Sequence, residues 1–111
     1  MKIKTHLIKT TFLPASMPHG YGNGYIGIPP EHPWFVKDYD SIEVNVHGGL
    51  TYSANRAPNE KPDGFWWIGF DTCHGGDNKF NCDLTYCQRE IENLKQQAID
   101  AYGTNTKVSR D

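Results

Sequence analysis

The stretch DTCHGGDN, residues 71–78, sets two carboxylates, an imidazole and a thiol around a glycine pair, directly after the apolar run GFWWIGF. Side chains at the end of a buried strand are held firmly while staying open to a ligand. Gly75 and Gly76 let a ligand or metal approach the backbone, and His74 in that setting is a candidate general base, metal ligand or hydrogen-bond donor. A glycine turn whose Asp71 and Asp77 bond to local amides would explain the same residues without chemistry. A second HGG stands at His47, Gly48 and Gly49. If the strand carrying Asp71 lies beside the strand ending at His47, then His47, Glu43, Asp71 and His74 converge on one patch.

Histidine and carboxylate ligands of this kind suit zinc or manganese, but metal sites are recognised by short fixed spacings and none is present, so a divalent metal is compatible without being favoured. A structural zinc on Cys73, His74, Cys82 and Cys87 fits no ordinary finger or ribbon spacing, and Cys87 falls on the apolar stripe of a helix. Cys73 is a poor nucleophile partner for His74, because adjacent residues on a strand point apart. GNGYIG, residues 22–27, has the glycine spacing of a dinucleotide fingerprint, but Pro29 and Pro30 follow where a helix would have to open. HGG is shared with esterase oxyanion loops, yet the chain has no G-x-S-x-G elbow. Most of the aromatics belong in a core; some, with His32 of PEHPW, would be placed to stack a planar ring such as a nucleobase.

The elements that must position these groups follow from patterning. Residues 2–12 read as a strand, with Ile3, Thr5 and Leu7 alternating against Lys2, Lys4 and His6. From Pro14 to about Asp40 runs a proline- and glycine-punctuated loop in which only YIGI is strand-like; its aromatics argue for order. SIEVNVHGGLTYS reads as a hairpin, with Ile42, Val44 and Val46 on one face, Glu43, Asn45 and His47 on the other, and Gly48-Gly49 as the turn. FWWIGFD follows as a strand with apolar bulk on both faces, hence central. The last third is a helix: Thr85 and Gln88 resemble a capping box, Cys87, Ile91, Leu94 and Ala98 recur at helical spacing, and Gly103 occupies a C-cap position, with a polar, frayed tail over 104–111.

The fold expected is therefore α+β: one domain over residues 1–111, an antiparallel sheet of about four strands, a C-terminal helix packed on one face, and a long ordered Pro/Gly/aromatic loop. At 111 residues the chain can bury about two-thirds of its unfolded surface without staples. A net charge of −2, with the eleven basic residues scattered, argues against a nucleic-acid polymer as partner. No segment has the length of a membrane span. The N-terminus MKIKTHLIKTTFL lacks the apolar run of a signal peptide, and three cysteines suit reduced thiols, so the cytoplasm is the expected location.

The ordered set GYIGIP, HP, VHGGLTYS, WWIGFD and HGGD resembles a family of small bacteriophage and prophage proteins of unassigned function, over about residues 20–77. The resemblance implies a phage accessory protein acting in the host cytoplasm, and marks Gly24, His32, His47, Gly48, Gly49, Tyr52, Trp67, Asp71, His74 and Asp77. The function expected is a pocket at the sheet end that binds a small polar, nucleotide-like ligand, with binding alone and hydrolysis by a histidine base both left open. His47, His74 and Asp71 would be catalytic, and Tyr52, Trp67, Asp77, Gly48, Gly49 and His32 would bind ligand. The alternative is an interaction protein that blocks a host protein, with the same polar residues only fixing turns.

Overall fold

A computed structural model describes the backbone of residues 1–11, 13–14 and 16–110, with side chains as far as residue 104. In chain order it contains β1 (Lys4–Lys9), β2 (Gly22–Ile28), a 3-10 turn (Tyr39–Ser41), β3 (Tyr52–Ala54), β4 (Trp66–Phe70) and α1 (Leu84–Arg110). The four strands form one antiparallel sheet in the order β1-β2-β4-β3, so the α+β architecture and the central place of the WWIGF strand are as expected. Residue 12, the end of the expected first strand, lies outside the described residues.

Apolar residues on one face of the sheet, Ile26, Ile28, Ile68 and Phe70, meet the helical stripe of Ile91, Leu94 and Ala98 in the main core. A smaller cluster of Tyr25, Ala57 and Trp67 occupies the other face under the 55–64 loop. β2 is longer than the YIGI stretch, and it is a central strand rather than part of a loop. Its glycines hide it from propensity, yet one is demanded by packing: a Cβ on Gly24 would lie 2.5 Å from Ile91 Cγ1 and 2.6 Å from Phe70 Cε1. Helix and sheet approach closely there because the side chain is missing.

The expected hairpin is only half present. Its second arm becomes β3, paired with β4, whereas residues 42–46 belong to no ladder. Their backbone is held by the helix instead: Asn45 N–H donates to Gln97 Oε1 at 2.9 Å, and Asn93 Nδ2 and Gln97 Nε2 both donate to Asn45 O at 2.9 Å. Asn93 and Gln97, one turn apart on the same face of α1, replace a neighbouring strand. The alternation itself is correct, since Ile42 and Val46 are buried. Gly49 N–H closes the turn on Val46 O at 2.9 Å, making His47 and Gly48 its central residues.

The helix begins one residue pair earlier than the capping-box reading. Asp83 Oδ1 accepts from Tyr86 N–H at 2.9 Å and caps the first turn, so Thr85 and Gln88 are not the cap. Gly103 is not a C-cap either, because the helix runs on to Arg110. Among the described residues no helix is long and apolar enough to cross a membrane.

Candidate functional site

β4 delivers Asp71 at its C-terminal end, and the segment that follows is pinned at Thr72. That residue is fully buried, donates through Oγ1 to Gly22 O at 2.7 Å, and accepts at its own carbonyl from Gly20 N–H at 2.7 Å. Asp71 then accepts from Cys73 N–H (3.1 Å) and from the Thr51 hydroxyl (3.0 Å). Asp77 N–H donates to His74 O at 2.9 Å, closing a turn over Gly75 and Gly76, and His74 N–H returns to Asp77 Oδ2 at 3.0 Å. Both carboxylates thus bond local amides, as the turn reading requires. Neither is used up by doing so.

His47 arrives from the other side. Its Nε2 lies 3.0 Å from each Asp77 oxygen, its Nδ1 lies 2.7 Å from Tyr86 Oη, and its backbone N–H donates to Glu90 Oε1 at 2.8 Å. The His47 and His74 rings face each other edge-on with centroids 5.8 Å apart. His74 Nδ1 is 3.4 Å from Asp71 Oδ1 and 3.4 Å from Asp77 Oδ2, and it is sequestered from solvent without a hydrogen bond. Burial is graded, the side chain of Asp77 being 8% exposed, His47 18% and His74 36%. Gly48, at φ +67°, is required here, since a Cβ would collide with His74 Cε1.

Burial by itself would raise the Asp77 carboxyl, but the hydrogen bonds from His47 and the His74 backbone outweigh it and hold the group below the usual carboxylate range. The buried Cys82 thiol, 3.8 Å from His47 Nε2, is pushed up to about 11 by desolvation and then by the Asp77 charge. Cys73 is raised by desolvation and by Asp71 and Asp77. Both thiols are therefore protonated at neutral pH, which removes a thiolate nucleophile. Burial, followed by the Glu90 charge, raises Tyr86, so it stays a phenol able to donate or accept. The cluster as a whole can transfer a proton through an imidazole backed by carboxylates. It can also hold a metal, because one donor atom from each of His47, His74 and Asp77 lies within 4.8 Å of the others.

Of the residues expected at the site, His47, His74, Asp71, Asp77 and Gly48 come together. Gly49 follows in the turn, and a Cβ there would meet nothing within 4 Å. Tyr52 and Trp67 do not join them. Tyr52 donates to Arg56 O and sets its ring edge-on to Tyr25 at 5.2 Å. Trp67 is 5% exposed and donates from Nε1 to Asp63 at 3.0 Å, beside a cavity of about 500 Å³ that it lines with His6 and Lys61. Trp67 alternates onto the same side as Asp71, yet four steps along the strand separate them by roughly 13 Å. Glu43 is exposed on the 42–46 segment and is not a member, because that segment does not run beside β4.

His32 is a buried structural histidine. Its Nε2–H donates to Ala98 O at 2.7 Å and its Nδ1 accepts from Trp34 N–H at 3.0 Å, which ties the aromatic loop to the far part of α1. Desolvation lowers it, favouring the neutral ring that this pattern needs. The imagined zinc set is not assembled: Cys73 is exposed while Cys82 and Cys87 are buried.

Tyr86, Glu90 and Thr51 are partners that the sequence motifs do not mark. Tyr86 and Glu90 stand one helical turn apart, a spacing that marks a common face. It goes unread when only the apolar stripe of the helix is followed. Comparison with models of protein families, with curated proteins and with solved structures finds no match.

Proposed function

We propose that the protein binds a small polar, nucleotide-like ligand at the His47–His74–Asp71–Asp77 cluster and hydrolyses it, acting as a phage-type accessory protein in the host cytoplasm. The observation that carries the reading is the setting of His74. Its Nδ1 faces two carboxylates at 3.4 Å, while its side chain is 36% exposed and so open to a ligand or water. A water proton taken at Nε2 would leave an imidazolium whose charge Asp71 and Asp77 oppose, the division of roles found in base-and-carboxylate catalysis. His47, fixed between Asp77 and Tyr86, keeps the buried carboxylate in place. At the cluster His47, from one segment, meets three ionisable side chains of another, Asp71, His74 and Asp77, which is why the ligand is placed here and not in the cavity beside Trp67.

Incubation with a panel of nucleotides, cyclic dinucleotides and ADP-ribose derivatives, followed by chromatography, tests this. Wild-type protein should consume one class of ligand, and His74→Ala should not. Consumption unchanged in His74→Ala would sink the assignment.

One observation favours a second reading, a protein that blocks a host protein. Phe80 is 97% exposed, on a loop fixed by Asn78 and Asn81, where Asn78 Oδ1 accepts from Phe80 N–H at 2.8 Å and Asn81 Nδ2 donates to Gly76 O at 2.9 Å. An aromatic ring held in solvent on a hydrogen-bonded turn is suited to anchor in a partner. Loss of a co-purifying host protein on Phe80→Ala, with the ligand panel silent, would favour it.

A further inference from the structure

We propose that His47 Nε2, His74 Nδ1 and Asp77 together bind one divalent transition-metal ion, zinc in the first instance. The inference deepens the hydrolase reading of the same site and rests on it for what the ion does, though not for whether the ion binds.

Zinc–ligand distances of about 2.0–2.2 Å place neighbouring donor atoms of a tetrahedral site roughly 3.3–3.6 Å apart. His47 Nε2 is 3.0 Å from the Asp77 oxygens and His74 Nδ1 is 3.4 Å from Asp77 Oδ2. All three donor atoms lie within 4.8 Å of one another, so an ion needs only small side-chain adjustments to reach them. The second observation concerns the environment of one donor: His74 Nδ1 is shut off from solvent and stands 3.4 Å from both Asp71 Oδ1 and Asp77 Oδ2, too far for a well-formed hydrogen bond to either. Buried nitrogens are normally satisfied, and one that faces two carboxylates at 3.4 Å is aimed at a position where a cation belongs.

The surroundings match what an imidazole ligand requires. His47 can ligate through Nε2 if its ring hydrogen sits on Nδ1, where Tyr86 Oη at 2.7 Å accepts it, and the ring stays neutral. His74 can ligate through Nδ1 with its hydrogen on Nε2. Asp77 Oδ2 keeps the His74 N–H, fixing the carboxylate, and Asp71, held by the Thr51 hydroxyl, stands beside the same nitrogen. Two imidazoles and one carboxylate suit zinc, iron or cobalt better than magnesium or calcium, which prefer all-oxygen sites. Cys82 falls outside the set of mutually close donors. The ion would supply a water acidic enough to react near neutral pH. The task of activating water then passes from His74, which becomes a ligand, to the ion.

The test is equilibrium dialysis of the metal-stripped full chain against micromolar zinc and, separately, millimolar magnesium, with bound metal counted by atomic emission. Wild type should retain about one zinc per chain and no magnesium, and His47→Ala and His74→Ala should each lose at least about tenfold in zinc affinity. Cobalt in place of zinc should give the visible absorption of a low-coordinate site in wild type, a readout that needs no variant to fold. No stoichiometric zinc at micromolar concentration, or zinc bound equally by both variants, overturns the inference. Ligand consumed by chelator-treated, metal-free protein overturns the ion's part in hydrolysis, while leaving the hydrolase reading intact. Zinc bound as described with no ligand consumed establishes the site and ends the hydrolase reading.

Discussion

Replacing Asp77 by Asn keeps the shape of a nearly buried side chain and removes the charge that His47 and the His74 N–H both meet at 3.0 Å. An amide oxygen can still accept from the His74 N–H, so the loss falls on the charge-assisted part of the pair. Hydrogen bonds to charged groups contribute about 1.5–3 kcal/mol against about 1 for neutral ones, which puts the cost at roughly 1–2 kcal/mol. With about 2.1 cal/mol/K of unfolding entropy per residue, a chain of 111 residues loses roughly 4 °C of Tm per kcal/mol, giving about 4–9 °C. The sign with pH is fixed by linkage. The folded carboxyl lies below its unfolded value, so its contribution is complete above the unfolded value of about 3.9 and is lost as pH falls through the lower folded value. Thermal unfolding of wild type and Asp77→Asn by circular dichroism between pH 7 and pH 2.5 should show a gap at neutral pH that narrows below about pH 4. Equal midpoints at pH 7, or a gap that stays constant into acid, would refute the reasoning.

Gly48→Ala puts a methyl group against the His74 ring at a φ of +67°, and should cost about 2–4 kcal/mol from left-handed backbone plus clash, with the site disrupted. Gly49→Ala, at φ +79° in open space, should cost only about 1–2 kcal/mol and leave the site working, so paired melting curves and ligand assays separate the two glycines. His32→Ala strands the Trp34 N–H and leaves a cavity, for an expected loss of about 2–4 kcal/mol in chemical denaturation, and it should leave ligand response unchanged because His32 lies outside the cluster.

The sheet and helix were legible where period and composition agreed. Ile68 and Phe70 share the core of the helix stripe with Trp66 packed against it, and Cys87, Ile91, Leu94 and Ala98 are all buried, as their spacing required. β2 was under-read because glycine weakens strand propensity, while the reason for Gly24, contact with Ile91 and Phe70, is tertiary. The hairpin misled for a related reason. Alternation at Ile42, Val44 and Val46 fixes which face is buried but not which element satisfies the backbone, and here Asn93 and Gln97 of the helix do so. That same docking carries His47 to Asp77, so the two HGG segments meet without the strand pairing on which the sequence argument made their convergence conditional, and without Glu43. Residue type alone places Tyr52, Trp67 and His32 at the site, and type cannot say that their polar atoms are already taken by Arg56, Asp63 and Ala98.

The most direct test of the ligand site is a paired thermal-shift measurement of wild type and His74→Ala across the nucleotide panel. A ligand at a hundredfold above its Kd stabilises by about 2.7 kcal/mol, or roughly 10 °C for this chain. A ligand binding at the cluster should raise the wild-type midpoint by that order and leave His74→Ala, folded and melting cooperatively, unmoved. No shift in wild type, or the same shift in both proteins, would contradict a ligand site at the His47–His74–Asp71–Asp77 cluster.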